Sequence, residues 1–237
     1  KFGLVTSLFN HLVVLLFIFC GGLEWYDGWV RSLGYNEILS AIVFFLLLGY
    51  VKGILDIPFS LYRTFSLEKK FGFNTMTAKL WLLDSIKSTA LSTVLIGLVI
   101  GAAMWICTSV EQWWLPVWAF LLVFSLFILL ISPYVLEPLF NTFVPVDDPE
   151  LEEELTSTIS AAGIKVKGVY TMDASKRSTH SNAYFSGIGH VKRIVLYDTL
   201  MEQLSNKEII GVLAHEAGHC KRKHIVKNIV LSEIFLL

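Results

Sequence analysis

Four apolar runs, each close to the roughly 20 residues that a helix needs to cross a bilayer, fill most of the first 136 residues of this 237-residue chain. They read as helices over about 2–21, 38–58, 88–107 and 114–136. A fifth apolar run begins near Ile225 and reaches Leu237. One such run could be a buried helix of a soluble protein. Four in succession exceed what a core in a chain of this size can cover, so a lipid bilayer is the expected surrounding. Composition agrees: 54% of the residues are hydrophobic and 16% charged, against about 25% charged in ordinary soluble domains. The net charge of −1 leaves no basic excess for nucleic acid. Cys20, Cys107 and Cys220 are too few and too scattered for a disulfide framework. The first run is too long for the apolar region of a secretory signal. The chain starts at Lys1 and stops inside an apolar run, and both ends are expected to be cuts in a longer sequence.

The charges between the runs set an orientation. Glu24, Asp27 and Glu37 face a single Arg31 between the first two runs. Between the second and third lie Arg63, Lys69, Lys70, Lys79 and Lys87 against Glu68 and Asp84, and the third interval carries Glu111 and no base. Basic residues recur from Lys165 to Lys223. The positive-inside rule places 59–87 and everything after 137 in the cytoplasm, with Lys1 on the same side. Trp25, Trp29, Trp113 and Trp114 then fall at the opposite interface, where aromatic belts form. Lys52 and Asp56 share one helical face near the cytoplasmic end of the second run. They read as a snorkelling lysine with a local partner, or as a charged lining of an internal cavity.

Beyond Asn141 the pattern becomes that of a small α+β domain. Asp148-Pro149 is an N-cap with proline at the first helical position. Leu151, Leu155, Ile159 and Ala162 follow at helical spacing, and Gly163 ends the helix. Residues 165–172, 182–187 and 192–198 read as strands, with Gly187 and Gly189 turning the last two, and 198–204 as a short helix. Ser205-Asn206-Lys207-Glu208 is a capping box that opens the next helix.

That helix carries His215-Glu216-Ala217-Gly218-His219, the pattern H-E-x-x-H. Histidines four apart stack on one face, so both imidazoles reach a single metal ion. Zinc is the default metal for two imidazoles and a carboxylate, with one position left open to water. Glu216 lies about 100° round the helix and reaches that water rather than the metal, as a general base. Apolar Ile209, Ile210, Val212 and Leu213 before the motif predict a site that is at least partly buried. No third ligand is evident. Arg222 and Ile225 stand where a longer motif needs glycine and a third histidine. His224 lies about 140° from His219, and Glu233 about 21 Å further along a continuous helix. The third ligand is expected beyond Leu237. Cys220 is expected to pack rather than to bind metal.

These residues together resemble the type I CAAX prenyl proteases, which are membrane zinc endopeptidases. FSLEKKFGFNTMT (65–77), EPLFNTF (137–143), SKRSTHSNAYFSG (175–187), KRIVLYDTL (192–200) and VLAHEAGHCKRKH (212–224) follow in that family's order. The resemblance implies a mainly α fold: a multi-span α-helical membrane protein with a cytoplasmic α+β zinc-metalloprotease domain. It implies a ring of seven membrane helices around a water-filled chamber, one span of which would precede Lys1. The expected division is a transmembrane domain over 1–137 and an H-E-x-x-H metallopeptidase domain over 138–237, incomplete at its end. The resemblance places zinc on His215 and His219, with a glutamate as the further ligand, and the general base on Glu216. Asn182-Ala183-Tyr184 matches the family's edge strand, on which an extended substrate peptide pairs. An ordinary strand is the other reading of those three residues. The implied substrate is a polypeptide, prenylated or similar, cut after a C-terminal prenylated cysteine. Two alternative readings stand beside it: a heat-shock-type membrane quality-control metalloprotease, and a transporter or receptor with a structural metal site.

Overall fold

Two glycines break the first apolar run. In the computed structural model, which describes residues 2–187, 192–222, 227–229, 231 and 232, Gly21 takes a φ of 74°. A Cβ on Gly22 would stand 2.7 Å from the Phe17 ring and carbonyl. Helix α1 (Phe2–Phe19) therefore ends there, and α2 (Gly22–Ser32) starts as a separate helix. Hydropathy does not mark the segment holding α2, because its residues are largely polar and charged. Its periodicity is nonetheless helical. Tyr26 and Val30 are buried four residues apart, the Tyr26 hydroxyl donates to the Phe44 carbonyl at 2.7 Å, and Arg31 pairs with Asp27 at 2.7 Å.

The chain divides into two compact units, residues 1–67 with 88–117, and residues 68–87 with 118–237. The first holds α1, α2, α3 (Glu37–Tyr62, continued as a π-helical turn over Arg63–Glu68) and most of α4 (Ala78–Ser109). Asn36 caps α3 by accepting from the Leu39 amide at 2.9 Å. Thr77 accepts from the Leu80 amide at 3.2 Å, so α4 begins ten residues before the apolar run expected from 88. Hydropathy registers only the part of a helix that meets hydrocarbon, and both helices extend past it. Among the described residues, four helices are long and apolar enough to cross a membrane: 2–19, 37–68, 78–109 and 114–140. None of these spans buries its apolar window, as expected of helices whose outer solvent is lipid. Contacts inside this unit include aromatic, small-residue and polar ones. Phe9 meets Phe59 at 4.9 Å, Tyr50 and Thr93 share a hydroxyl hydrogen bond of 2.8 Å, and Gly101 admits Ile42. Lys52 and Asp56 form an i,i+4 ion pair on α3.

In the second unit, α5 (Trp114–Ile131), from residue 118 onward, passes through a π-helical turn into α6 (Glu137–Phe140). A four-stranded sheet follows, in the order β1 (Phe143–Pro145), β2 (Val166–Met172), β4 (Lys192–Tyr197), β3 (Ala183–Ser186). β2 and β4 are parallel, and the outer pairs are antiparallel. α7 (Pro149–Ala161), capped by Asp148, lies between β1 and β2, as its sequence predicts. α8 (Asp198–Gln203) leads from β4 into α9 (Asn206–Lys221).

After Lys192 and Arg193, central β4 runs apolar from Ile194 to Tyr197, because both faces of this stretch are covered. Ile194 and Leu196 point into one core with Leu151, Leu155 and Ile159 of α7 and Ile209, Leu213 and Ala217 of α9. Val195 points to the other side, into a smaller cluster with Met172, Ala174, Phe143 and Tyr184. Each fully buried Leu or Ile contributes about 1.5–3 kcal/mol. This packing fixes α9, and with it the H-E-x-x-H motif, against the sheet. Gly189, His224, Ile225 and Glu233, together with most of the expected fifth apolar run, lie outside the described residues.

Candidate metal centre and substrate strand

Helix α9 starts where the sequence sets it. Ser205 and Glu208 make both halves of the capping box, the Glu208 carboxylate accepting from the Ser205 amide at 2.9 Å. Its hydrogen bonds with Ser205 hold the Glu208 carboxyl below its ordinary range. From that start, residues 209, 213 and 217 face the core. Positions 215 and 219 then lie about 160° away from Ala217, on the back of the helix. Both imidazoles are accordingly exposed, and Glu216 between them is half-buried. The expected burial of the site thus holds in part for the carboxylate and fails for the histidines, because the preceding apolar residues are committed to the opposite face.

The two rings meet on that back face. Their centroids are 4.9 Å apart at 72°, and the Nε2 atoms are 3.2 Å apart. Two nitrogens bound tetrahedrally to zinc at 2.0–2.1 Å would be separated by roughly 3.3 Å. The donor set therefore fits a zinc ion in both chemistry and spacing. Among the described residues, no cluster of three His, Cys, Asp or Glu side chains surrounds a common point. Cys220 is half-buried, packs on the core, and accepts from the Lys192 ammonium at 3.0 Å.

Asn182, Ala183 and Tyr184 begin the edge of the sheet. The Tyr197 amide donates to the Asn182 carbonyl at 3.0 Å. In an antiparallel ladder this makes 182/197, 184/195 and 186/193 the hydrogen-bonded pairs. Ala183 and Phe185 consequently turn their backbone groups toward the outer edge. Asn182 Oδ1 accepts from the outward Ala183 amide at 2.9 Å. Side chains alternate across the sheet: Ala183 and Phe185 face α7 and α9, Tyr184 and Ser186 the opposite cluster.

Behind the strand stands a carboxylate to which sequence reasoning gave no role. Glu137 accepts from the Tyr184 hydroxyl at 3.1 Å, from Ser186 Oγ at 3.0 Å and from Arg193 at 3.3 Å. Arg193 also donates to the Pro133 carbonyl at 2.6 Å and lies 4.5 Å over the Phe143 ring. Burial, with the negative charge of Glu137 beside it, pushes the Tyr184 hydroxyl well above its ordinary range. The available signal was a charged residue directly after an apolar run, within EPLFNTF.

Apolar spans followed by an H-E-x-x-H α+β unit define an integral membrane protein with a metallopeptidase-type domain. Residues 1–142 match the family model described as CAAX prenyl protease N-terminal, five membrane helices, and residues 145–237 match that of Peptidase family M48. The chain belongs to the CAAX prenyl protease family. It is 38% identical to CAAX prenyl protease 1 of Saccharomyces cerevisiae over 203 residues, covering 84% of this chain and 44% of that protein. It is 40% identical to the Dictyostelium discoideum homologue, over 87% of this chain and 49% of that protein. The crystal structure of S. mikatae Ste24p superposes with a TM-score of 0.92 at 34% identity, over 100% of this chain and 57% of that one. The chain thus spans about half the length of the curated relatives it matches. Neither the quality-control protease nor the transporter reading is favoured by these matches.

Proposed function

We propose that this protein is a membrane zinc metalloendopeptidase that cleaves a polypeptide near a prenylated C-terminal cysteine. The observation that carries this reading is the 3.2 Å separation of the His215 and His219 Nε2 atoms on a helix packed against the sheet. The substrate class follows from the relatives named CAAX prenyl protease 1. The membrane region extends to residue 137, and the metallopeptidase domain, from 138 onward, faces the cytoplasm by the distribution of basic residues.

His215 and His219 would hold the zinc ion, which when bound would acidify a water molecule and polarise the substrate carbonyl. The outward Ala183 carbonyl and the outward amide and carbonyl of Phe185 receive an extended peptide as an added strand, and Asn182, whose Oδ1 holds the Ala183 amide, marks where that pairing begins. Pairing of this kind fixes the main chain whatever its side chains, and so suits a protease. Glu216 takes a proton from the attacking water and returns it to the leaving amine nitrogen.

Glu216→Gln in the full-length protein tests the reading. The amide keeps the shape and removes the base, so zinc should be retained while cleavage falls by about 10²–10⁴-fold. Cleavage at the wild-type rate would remove Glu216 from the mechanism.

A further inference from the structure

Three stretches far apart in sequence meet at Arg177. Its Nε and Nη2 donate to the two carboxylate oxygens of Asp84 on α4 at 2.8 and 3.1 Å. Nη1 donates to Asn141 Oδ1 at 3.1 Å, and Nη2 also donates to the Phe140 carbonyl at 2.5 Å. The Arg177 and Asp84 side chains are only 22% and 15% exposed. The guanidinium fork is therefore committed to two partly desolvated directions at once, an arrangement that a point charge cannot reproduce.

The segment after Arg177 is clasped by the loop at 72–75. Gly72, with φ of 75°, turns that loop. The Thr179 amide donates to the Phe73 carbonyl at 3.0 Å, Asn74 forms a β-bridge with Ser178, and the Phe73 and His180 rings stack at 4.3 Å. Thr199 Oγ1 donates to the His180 carbonyl at 2.8 Å. Two residues later Asn182 opens the edge strand. Phe140, held by Arg177, is also the last residue of α6, whose first residue, Glu137, holds Tyr184 and Ser186 from behind. Arg177 thus controls the entry to β3 along the chain, and its rear face through α6.

We propose that Arg177 is a positioning residue for peptide binding: anchored on Asp84, it sets the place and register of the edge strand without touching the substrate. The proposal rests on the reading of β3 as the peptide-binding edge. Backbone hydrogen bonds to an added strand weaken steeply with misalignment, so a loosened entry to β3 weakens peptide binding before it affects the chemistry on α9.

The test uses full-length protein in lipid nanodiscs and a fluorogenic peptide ending in a farnesylated CAAX sequence. Arg177→Lys keeps the charge and loses the fork. It should raise KM about tenfold with kcat within about threefold of wild type, with zinc content unchanged. Binding of the same peptide to the Glu216→Gln protein should weaken by a similar factor when Arg177→Lys is added. An unchanged KM, a loss confined to kcat, or a loss that follows zinc content overturns the positioning role. If Arg177→Lys does not fold, Asp84→Asn removes the same anchor, and the same outcomes decide. Wild-type protein that neither binds nor cleaves the peptide overturns the peptidase reading, and this proposal with it.

Discussion

The Tyr184 hydroxyl donates to Glu137 across 3.1 Å, joining residues 47 apart in sequence and fastening the edge strand to the start of α6. The tyrosine stays protonated in this setting because burial and then the neighbouring carboxylate both disfavour its anion. A hydroxyl raised above its ordinary value of 10.0 contributes stability that is fully present below pH 10. As pH rises past 10 the unfolded tyrosine ionises first, and that contribution is lost toward the folded-state value. Thermal unfolding above pH 10 should therefore show a steeper loss in wild type than in Tyr184→Phe. Parallel curves for the two proteins would show that Tyr184 is not held as described.

Metal removal should abolish cleavage reversibly. A chelator should strip the metal, and stoichiometric zinc should restore the activity. His219→Ala, which leaves one imidazole on the back of α9, should lower bound zinc below one equivalent by elemental analysis. Full zinc occupancy in that variant would separate the metal from the H-E-x-x-H pair.

Leu213 has 0% exposure in the core shared by α7, α9 and the sheet. Leu213→Ala should destabilise this unit by about 2–5 kcal/mol, seen as a lower unfolding midpoint by scanning calorimetry. A shift no larger than that of an exposed α9 substitution such as Lys207→Ala would mean that α9 is not fastened by this face.

The orientation is open to labelling. In a background without the native cysteines, a single cysteine at position 69 should be shielded from an impermeant maleimide in intact cells, and one at position 27 should react. The opposite pattern would reverse the side assigned to the zinc domain.

Much of this molecule is local in origin. Asp148 caps α7 and Ser205 caps α9 because capping depends on residues three apart. The four long apolar runs declare themselves by length, and the i,i+4 spacing of His215 and His219 places both rings on one helical face. Helix α2 and the early start of α4 escaped a hydropathy reading because their residues are polar where the helices leave the hydrocarbon. The exposure of the two imidazoles was also missed, since it depends on which face of α9 the core claims.

By itself, the sequence determined the spans, the caps and the pairing of two imidazoles with a carboxylate. Each of these depends on chemistry within one or two helical turns, or on the length of a single run. Only the tertiary structure decided that β3 is an edge strand, that Glu137 stands behind Tyr184, and that Asp84 meets Arg177 across 93 positions of sequence. Such contacts leave no periodicity in the chain, because they are selected by how whole elements pack.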